Sequence, residues 1–337
     1  MSKPSELPYF VRENSAFAPI TPQDDYLHPE RNRQCSDPTL TETQYFSFGN
    51  AEAGVHAFGY LWHHPNLHAV SGGMLAWQGF KLHMQQAEIC DYPLFMSDEV
   101  LKNDLHEFRL INSYSVKVIE PLKRHHMSYH DDAKNNHVDV EFDAVTPAVM
   151  YADGNHFEQI MHARGELVLR GKRFEIDSVT LRDRSWGKPR PEDNYPLPPM
   201  DWMGGAFANG MAFNCNMFDD ARRNPELRGT QFDLPPEKVV SGGWLWRDGK
   251  LGRVVKGSKY VERDPRTSVP KRIEVEATDE LGRNFEAHAT VIAALPYQYW
   301  HNSFFVAAKL RWECEGQVSY GDTQEAMWSD YLNAFRQ

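Results

Sequence analysis

The sequence predicts a mainly β protein made of two antiparallel β-barrel or sandwich domains with a short C-terminal helix. Three observations predict it. Asn136–Asp143 alternates strictly, Val138, Val140 and Phe142 on one face and Asp139, Glu141 and Asp143 on the other, the period of a strand with one face in a core and one in water. Hairpin signals recur at short spacing, which crossover helices between parallel strands would not give. Only two segments carry a helical pattern, Ser97–Glu107 and Glu325–Phe335.

In chain order, residues 1–40 are rich in Pro, Asp, Glu and Arg without periodicity and read as an arm lying over the fold. A first β domain spans 41–188. In it, Glu158–Arg164 and Glu166–Leu169 sit around Gly165, and Gly171-Lys172 turns into a strand running through Ile176–Ser185. Lys188–Pro199 holds five prolines in twelve residues and cannot be a central strand, so it divides the first domain from a second, 200–337. There Val239–Arg247 and Leu251–Glu262 flank Asp248-Gly249, a favoured two-residue turn, and Arg272–Thr278 and Asn284–Ala293 flank Glu280–Arg283. The closing helix, Glu325–Phe335, repeats Met327, Tyr331 and Phe335 at i, i+4, i+8 behind a Thr323 cap.

A formal charge of −11 argues against nucleic acid, whose binding rests on Lys and Arg neutralising phosphates. No run of about 18 apolar residues is present to span a bilayer as a helix. Met1–Pro8 lacks the apolar stretch of a secretory signal, and the expected location is cytoplasmic. Cys35, Cys90, Cys215 and Cys314 form no CxxC pair, so they read as reduced, structural thiols. The 9 Trp, 14 Tyr and 19 Phe suit a large β core.

The most informative segment is Ile176–Lys188. By the period of a strand, Val179, Leu181, Asp183 and Ser185 share one face, and Thr180, Arg182, Arg184 and Trp186 the other. If the valine and leucine face inward, so does Asp183, and a carboxyl out of water favours its neutral form unless a cation or donors hold the anion. Asp183 is therefore a candidate proton donor; the alternative is a carboxylate locked to Arg182, Arg184 or Arg164. His156 and Glu158 share a strand face and form a second candidate group, within hydrogen-bond reach of each other in a pocket. His63, His64, His68, His125, His126, His130 and His137 are dense, but adjacent histidines on a strand point to opposite faces, and no ligand geometry is written in their spacing. No metal and no cofactor is expected. Asp201–Gly210, Gly72-Gly73 and Gly242-Gly243 read as bends or crossing points, and no GxGxxG, Walker loop, GxSxG or HExxH occurs.

At Arg182-Asp-Arg-Ser-Trp-Gly187, preceded by His156-Phe-Glu-Gln159, the chain resembles the carotenoid 1,2-hydratases, or hydroxyneurosporene synthases, and related two-domain lipocalin-like proteins, whose fold also serves some cofactor-free cyclases. The resemblance implies two lipocalin-like domains, a hydrophobic substrate near their junction, and Asp183 as the acid that protonates an isolated double bond before water captures the cation. Where many members carry His after that Asp, Arg184 stands here, and an arginine beside the site suits an oxygenated or carboxylate-bearing compound. Trp186, Trp202, Tyr151 and Phe157 would supply π-rich walls for the cation.

The expected function is thus a cofactor-independent hydratase, dehydratase or isomerase acting by acid catalysis on an isoprenoid-like or aromatic small molecule. Asp183 would be the acid, and His156 and Glu158 would orient it or water. The alternatives are a non-catalytic lipocalin-like carrier of an apolar ligand and a metal-dependent enzyme using the histidines. A homodimer is compatible with the sequence, which does not decide the oligomeric state.

Overall fold

Two antiparallel sheets organise the chain, and the computed structural model describes residues 16–190, 196–298 and 302–335 of it. The start of the arm, including Met1–Pro8, and the centre of the proline-rich connection lie outside the described residues. The first sheet contains β1 (Leu40–Asn50), β2 (Val55–His64), β3 (Ala69–Gln78), β4 (Ile89–Asp91), β5 (Met96–Ser97), β6 (Glu107–Arg109), β7 (Ser115–Glu120), β8 (Arg124–Asp131), β9 (Asn136–Ala144), β10 (Val149–Met150), β11 (His156–Leu169) and β12 (Lys172–Pro189). Its order is β4-β3-β2-β1-β12-β11-β9-β8-β7-β6, with β10 beside β11 and β5 beside β3, and it stays open. The second contains β13 (Met200–Ala206), β14 (Ala212–Phe218), β15 (Val240–Arg247), β16 (Lys250–Arg263), β17 (Pro270–Asp279), β18 (Asn284–Tyr297), β19 (Ser303–Cys314) and β20 (Gln317–Trp328), closed into a barrel in sequence order. Among the described residues the arm carries a 3-10 turn, Pro22–Asp25, and an α-helical turn, α1 (Pro29–Asn32), and β20 is followed by α2 (Ser329–Phe335). Among the described residues no helix is long and apolar enough to cross a membrane.

Alternation makes these strands as the sequence predicts. In β9, Val138, Val140 and Phe142 are buried and Asp139 and Glu141 exposed. Arg247 pairs with Lys250 across Asp248-Gly249, whose φ values of 53° and 68° are those of a tight hairpin turn. The two long central strands are less regular. The first half of β12 buries Phe174 and Ile176 and exposes Glu175 and Asp177, whereas Leu181, Arg182, Arg184, Ser185 and Trp186 are all buried. The second half is covered on both faces. Arg182, Arg184 and Trp186 look into the concavity of the open sheet, and Leu181 and Asp183 look toward the barrel.

The two-part β architecture stands, as an open sheet followed by a closed barrel. Several expectations are corrected. Gly165 is not a turn: β11 runs straight through it, and its φ of +147° with a Cβ position only 2.1 Å from Asp139 O marks a close approach of β9. The turn is at Arg170-Gly171, so Leu169 pairs with Lys172. Ser97–Glu107 forms only a 3-10 turn over Asp98–Leu101, because Asp104 and Leu105 take left-handed φ values of 50° and 56°. The terminal helix begins at Ser329 rather than Glu325: Glu325 to Trp328 finish β20, pairing with β19. The spacing of Met327, Tyr331 and Phe335 still describes one face, since all three pack on the barrel core across the strand–helix junction.

Candidate functional site

Neighbouring strands set residues side by side, and one row crosses the open sheet on the face turned to the barrel. Tyr60 opposes Tyr45, Tyr45 opposes Asp183, and Asp183 opposes Glu158. Directly opposed Cβ atoms lie about 4.5–5.5 Å apart, so the register brings two carboxyls and a phenol together. In the next row Ser185 opposes His156. Asp183 is half-buried, and Glu158 and His156 are buried.

Glu158 is held from several directions. His156 Nε2 lies 2.9 Å from Glu158 Oε1. Across the junction, Asn216 Nδ2 donates to Oε1 at 3.3 Å and Asn214 Nδ2 to Oε2 at 3.4 Å. Tyr151 ties the asparagines together, donating to Asn214 Oδ1 at 2.9 Å and accepting from Asn216 Nδ2 at 3.1 Å. Both asparagines come from β14, where they alternate with Phe213, Cys215 and Met217, which turn into the barrel core. Donors converging on a carboxylate favour its anion.

Aromatic rings line the same junction in a chain of contacts. Trp202 lies 6.4 Å from Phe305, Phe305 5.4 Å from Tyr297, Tyr297 5.2 Å from Phe58, and Phe58 5.4 Å from Tyr45, centroid to centroid. Burial, then the charge of Asp322, and further on that of Asp183, hold the Tyr45 phenol well above its ordinary range. Burial, Tyr60 and Asp183 do the same for Tyr297, so both remain hydroxyl donors. One row further along, Ser47 donates to Asp322, and Lys309 Nζ donates to Val179 O at 3.2 Å. Burial pushes the Asp322 carboxyl up to about 6 against the charge of Lys309 and the Ser47 bond.

The predicted site residues therefore divide between two faces of the β11–β12 ladder. Asp183, His156, Glu158, Tyr151 and Trp202 share the junction. Arg184, Trp186 and Phe157 lie on the opposite face, under the arm. Arg184 donates to Glu42 Oε1 at 2.6 Å and to Tyr26 O at 2.9 Å, and Trp186 stacks on His28 at 3.8 Å. Arg182 beside them pairs with Asp25, which also bonds His125 Nε2 at 2.9 Å and Leu122 N at 2.5 Å. Gly187, at φ +69°, lets Arg31 of the arm lie where a Cβ would be, 2.7 Å from Arg31 Cγ.

The histidines do not form one site. His126 pairs with Asp139 at 3.0 Å, His130 with Asp132 at 2.7 Å, and His63 with Asp98 at 3.4 Å. Among the described residues, the group of metal-ligand type is Asp201, Asp219 and Glu325 inside the barrel. Lys259 reaches Asp201 at 2.5 Å and Asp219 at 2.9 Å, while Arg263 holds Asp219 at 2.7 Å and Glu325, so cations of the chain itself already engage these carboxylates.

Sequence reasoning missed Tyr45, Asn214, Asn216 and Asp322. The asparagines carried a signal: Ala212-Phe-Asn-Cys-Asn-Met-Phe218 places two amides on one face of an otherwise apolar strand.

Fold and junction together define a class: a two-part, lipocalin-like β protein with opposed carboxyls between an open sheet and a closed barrel. The chain belongs to the family described as a domain of unknown function, DUF7064, whose model matches residues 21–330. No curated protein matches it. Among solved structures, it resembles an AttH candidate from Nitrosomonas europaea at 10% identity and a TM-score of 0.60, covering 92% of this chain and 96% of that one. It resembles kievitone hydratase from Nectria haematococca at 12% and 0.52, covering 95% and 98%, and CghA with Sch210972 at 11% and 0.55, covering 87% and 89%. These likenesses establish the shared fold.

Proposed function

We propose that the protein is a cofactor-independent hydratase or dehydratase that works by acid catalysis on a hydrophobic isoprenoid-like or aromatic small molecule held between sheet and barrel. The observation that carries this reading is the direct opposition of Asp183 and Glu158 in an aromatic-walled junction. Glu158, surrounded by the donors His156, Asn214 and Asn216, is the anion of the pair; Asp183 carries the proton. Asp183 protonates the double bond, the neighbouring rings and the Glu158 charge stabilise the cation, and water adds as Glu158 takes up its proton. Transfer between the opposed carboxyls restores the starting state, and dehydration is the same path reversed. His156 positions Glu158. That kievitone hydratase shares the fold supports the reading.

The test is Asp183→Asn, with folding checked by circular dichroism. The protein is incubated with prenylated phenols and acyclic terpenes, and products are sought by mass spectrometry as gain or loss of one water. A general acid is worth roughly 10²–10⁴ in rate, so turnover should fall by that factor. Unchanged turnover in the variant removes the proposal. The carrier alternative draws no support from the barrel, whose bore is filled by Met203, Phe213, Met217, Leu310 and Trp312 and by the Lys259–Arg263 network.

A further inference from the structure

Resting on that reading, we infer that Tyr45 is a specificity-determining residue whose hydroxyl binds an oxygen of the substrate, which makes the substrate an oxygenated molecule, phenol-like or enol-like, rather than a hydrocarbon polyene. Tyr45 is buried and sits on β1 directly opposite Asp183, on the face turned to the barrel, where its ring packs on Phe58 at 5.4 Å. Among the described residues its hydroxyl has no hydrogen-bond partner of sound geometry; Ser47 lies near enough to act on it but gives its one proton to Asp322. Ser47, the polar side chain two residues along the same strand face, is committed to Asp322, to Thr180 Oγ1 at 2.5 Å and to Leu181 O at 3.0 Å.

A buried hydroxyl normally finds a partner, and an exception calls for an explanation. The surroundings supply one. Burial, then the charge of Asp322 and, further on, that of Asp183 keep the proton on this phenol, so it is a donor awaiting an acceptor. An acceptor there lies beside Asp183, next to the bond that the acid protonates. A site built to hydrogen-bond a substrate oxygen discriminates strongly against an analogue lacking it, because the protein group is then left unpaired. A hydrocarbon would leave Tyr45 in that condition; a phenol, enol or carbonyl oxygen would not.

The test uses a matched pair of probes, 2-prenylphenol and prenylbenzene, with binding followed by tryptophan fluorescence in the full-length wild type, Tyr45→Phe and Asp183→Asn. The wild type should bind the phenol roughly tenfold or more tightly than the hydrocarbon. Tyr45→Phe should lose that preference by weakening the phenol alone. The ¹³Cζ resonance of Tyr45 in labelled protein should move on adding 2-prenylphenol and stay put with prenylbenzene, a readout that does not depend on the variant folding. Equal affinity for the two probes in the wild type, binding of neither, or a preference that survives Tyr45→Phe overturns the inference. An unmoved ¹³Cζ signal also overturns it, the hydroxyl then being satisfied by a buried water. Asp183→Asn should keep the preference. If the preference holds in all Asp183 forms but no probe is ever hydrated, the hydratase reading fails and the Tyr45 assignment stands; turnover lost in Asp183→Asn with no role for Tyr45 gives the reverse.

Discussion

Both halves of the molecule bury cations, and the two halves neutralise them differently. In the barrel, Lys259 and Arg263 meet Asp201, Asp219 and Glu325, all supplied by barrel strands or the residue just after one. In the open sheet, Arg184 meets Glu42 of β1, but Arg182 meets Asp25, a residue of the arm 157 positions away. A closed barrel has strands on every side of its bore and can place counter-charges across it. An open sheet lacks that far wall, and the arm stands in for it: Asp25, Tyr26, His28 and Asn32 complete the shell around Arg182, Arg184 and Glu42. The arm is thus a structural part of the half that carries Asp183.

Breaking the barrel network should have the largest effect. Lys259→Met leaves Asp201 and Asp219 with one cation fewer in a site without water access, and removing one partner of a buried pair costs about 3–5 kcal/mol. Denaturant unfolding should register a loss of that size across the whole transition; a loss below about 1 kcal/mol would mean that the network is not a unit. Asp25→Asn should cost less, about 3 kcal/mol, and act locally. Arg182 loses its counter-ion, the arm loosens, and limited proteolysis should cut within residues 16–39 before the rest of the chain. An arm as resistant as in the wild type contradicts this. Replacing both partners, Asp25→Asn with Arg182→Met, should recover much of the loss, since an apolar substitute for a buried pair is often neutral.

The same contrast explains what could be read from the sequence. Strands whose outer face meets water, such as β9, announce themselves by alternation. β12 does not in its second half, because apolar residues at Val179 and Leu181 reveal one buried face and say nothing of the other. Arg182 and Arg184 are inside only because Asp25 and Glu42 meet them, a contact no local pattern encodes. The opposition of Asp183 and Glu158 was within reach. Once the turn is put at Arg170-Gly171, Leu169 pairs with Lys172, and counting back along both strands brings Glu158 opposite Asp183; reading Gly165 as the break hid it. The residues that hold Glu158 from the barrel depend on how two sheets dock, and Asn214 and Asn216 carried only the mark of being polar in an apolar strand.

The smallest expected effect concerns Asp322, where barrel and sheet are tied through Ser47. Burial raises its carboxyl from an ordinary carboxylate value to about 6, so the folded protein binds this proton more tightly than the unfolded chain does. The resulting stabilisation is complete below the unfolded value and disappears as pH rises through about 6. Lys309, which burial pushes down, and His56, which burial and Lys309 push far down, face the same space and soften the charge only partly. Glu325, pushed up to about 7 by burial, adds a loss of the same sign, whereas Asp219, held low by Arg263 and Lys259, and Glu42, held low by the His28 hydrogen bond and the Arg184 charge, contribute nothing over this range. Asp322→Asn keeps the shape and removes the titration. Relative to wild type it should gain stability between pH 5 and pH 8 by roughly 1.4 kcal/mol, the part of a shift of about two pKa units that falls above pH 5, seen as a narrowing of the gap between thermal midpoints or its reversal at the higher pH. If the two proteins instead keep a constant gap from pH 5 to pH 8, the carboxylate is already ionised at pH 5, and Ser47 donates to its anion throughout this range.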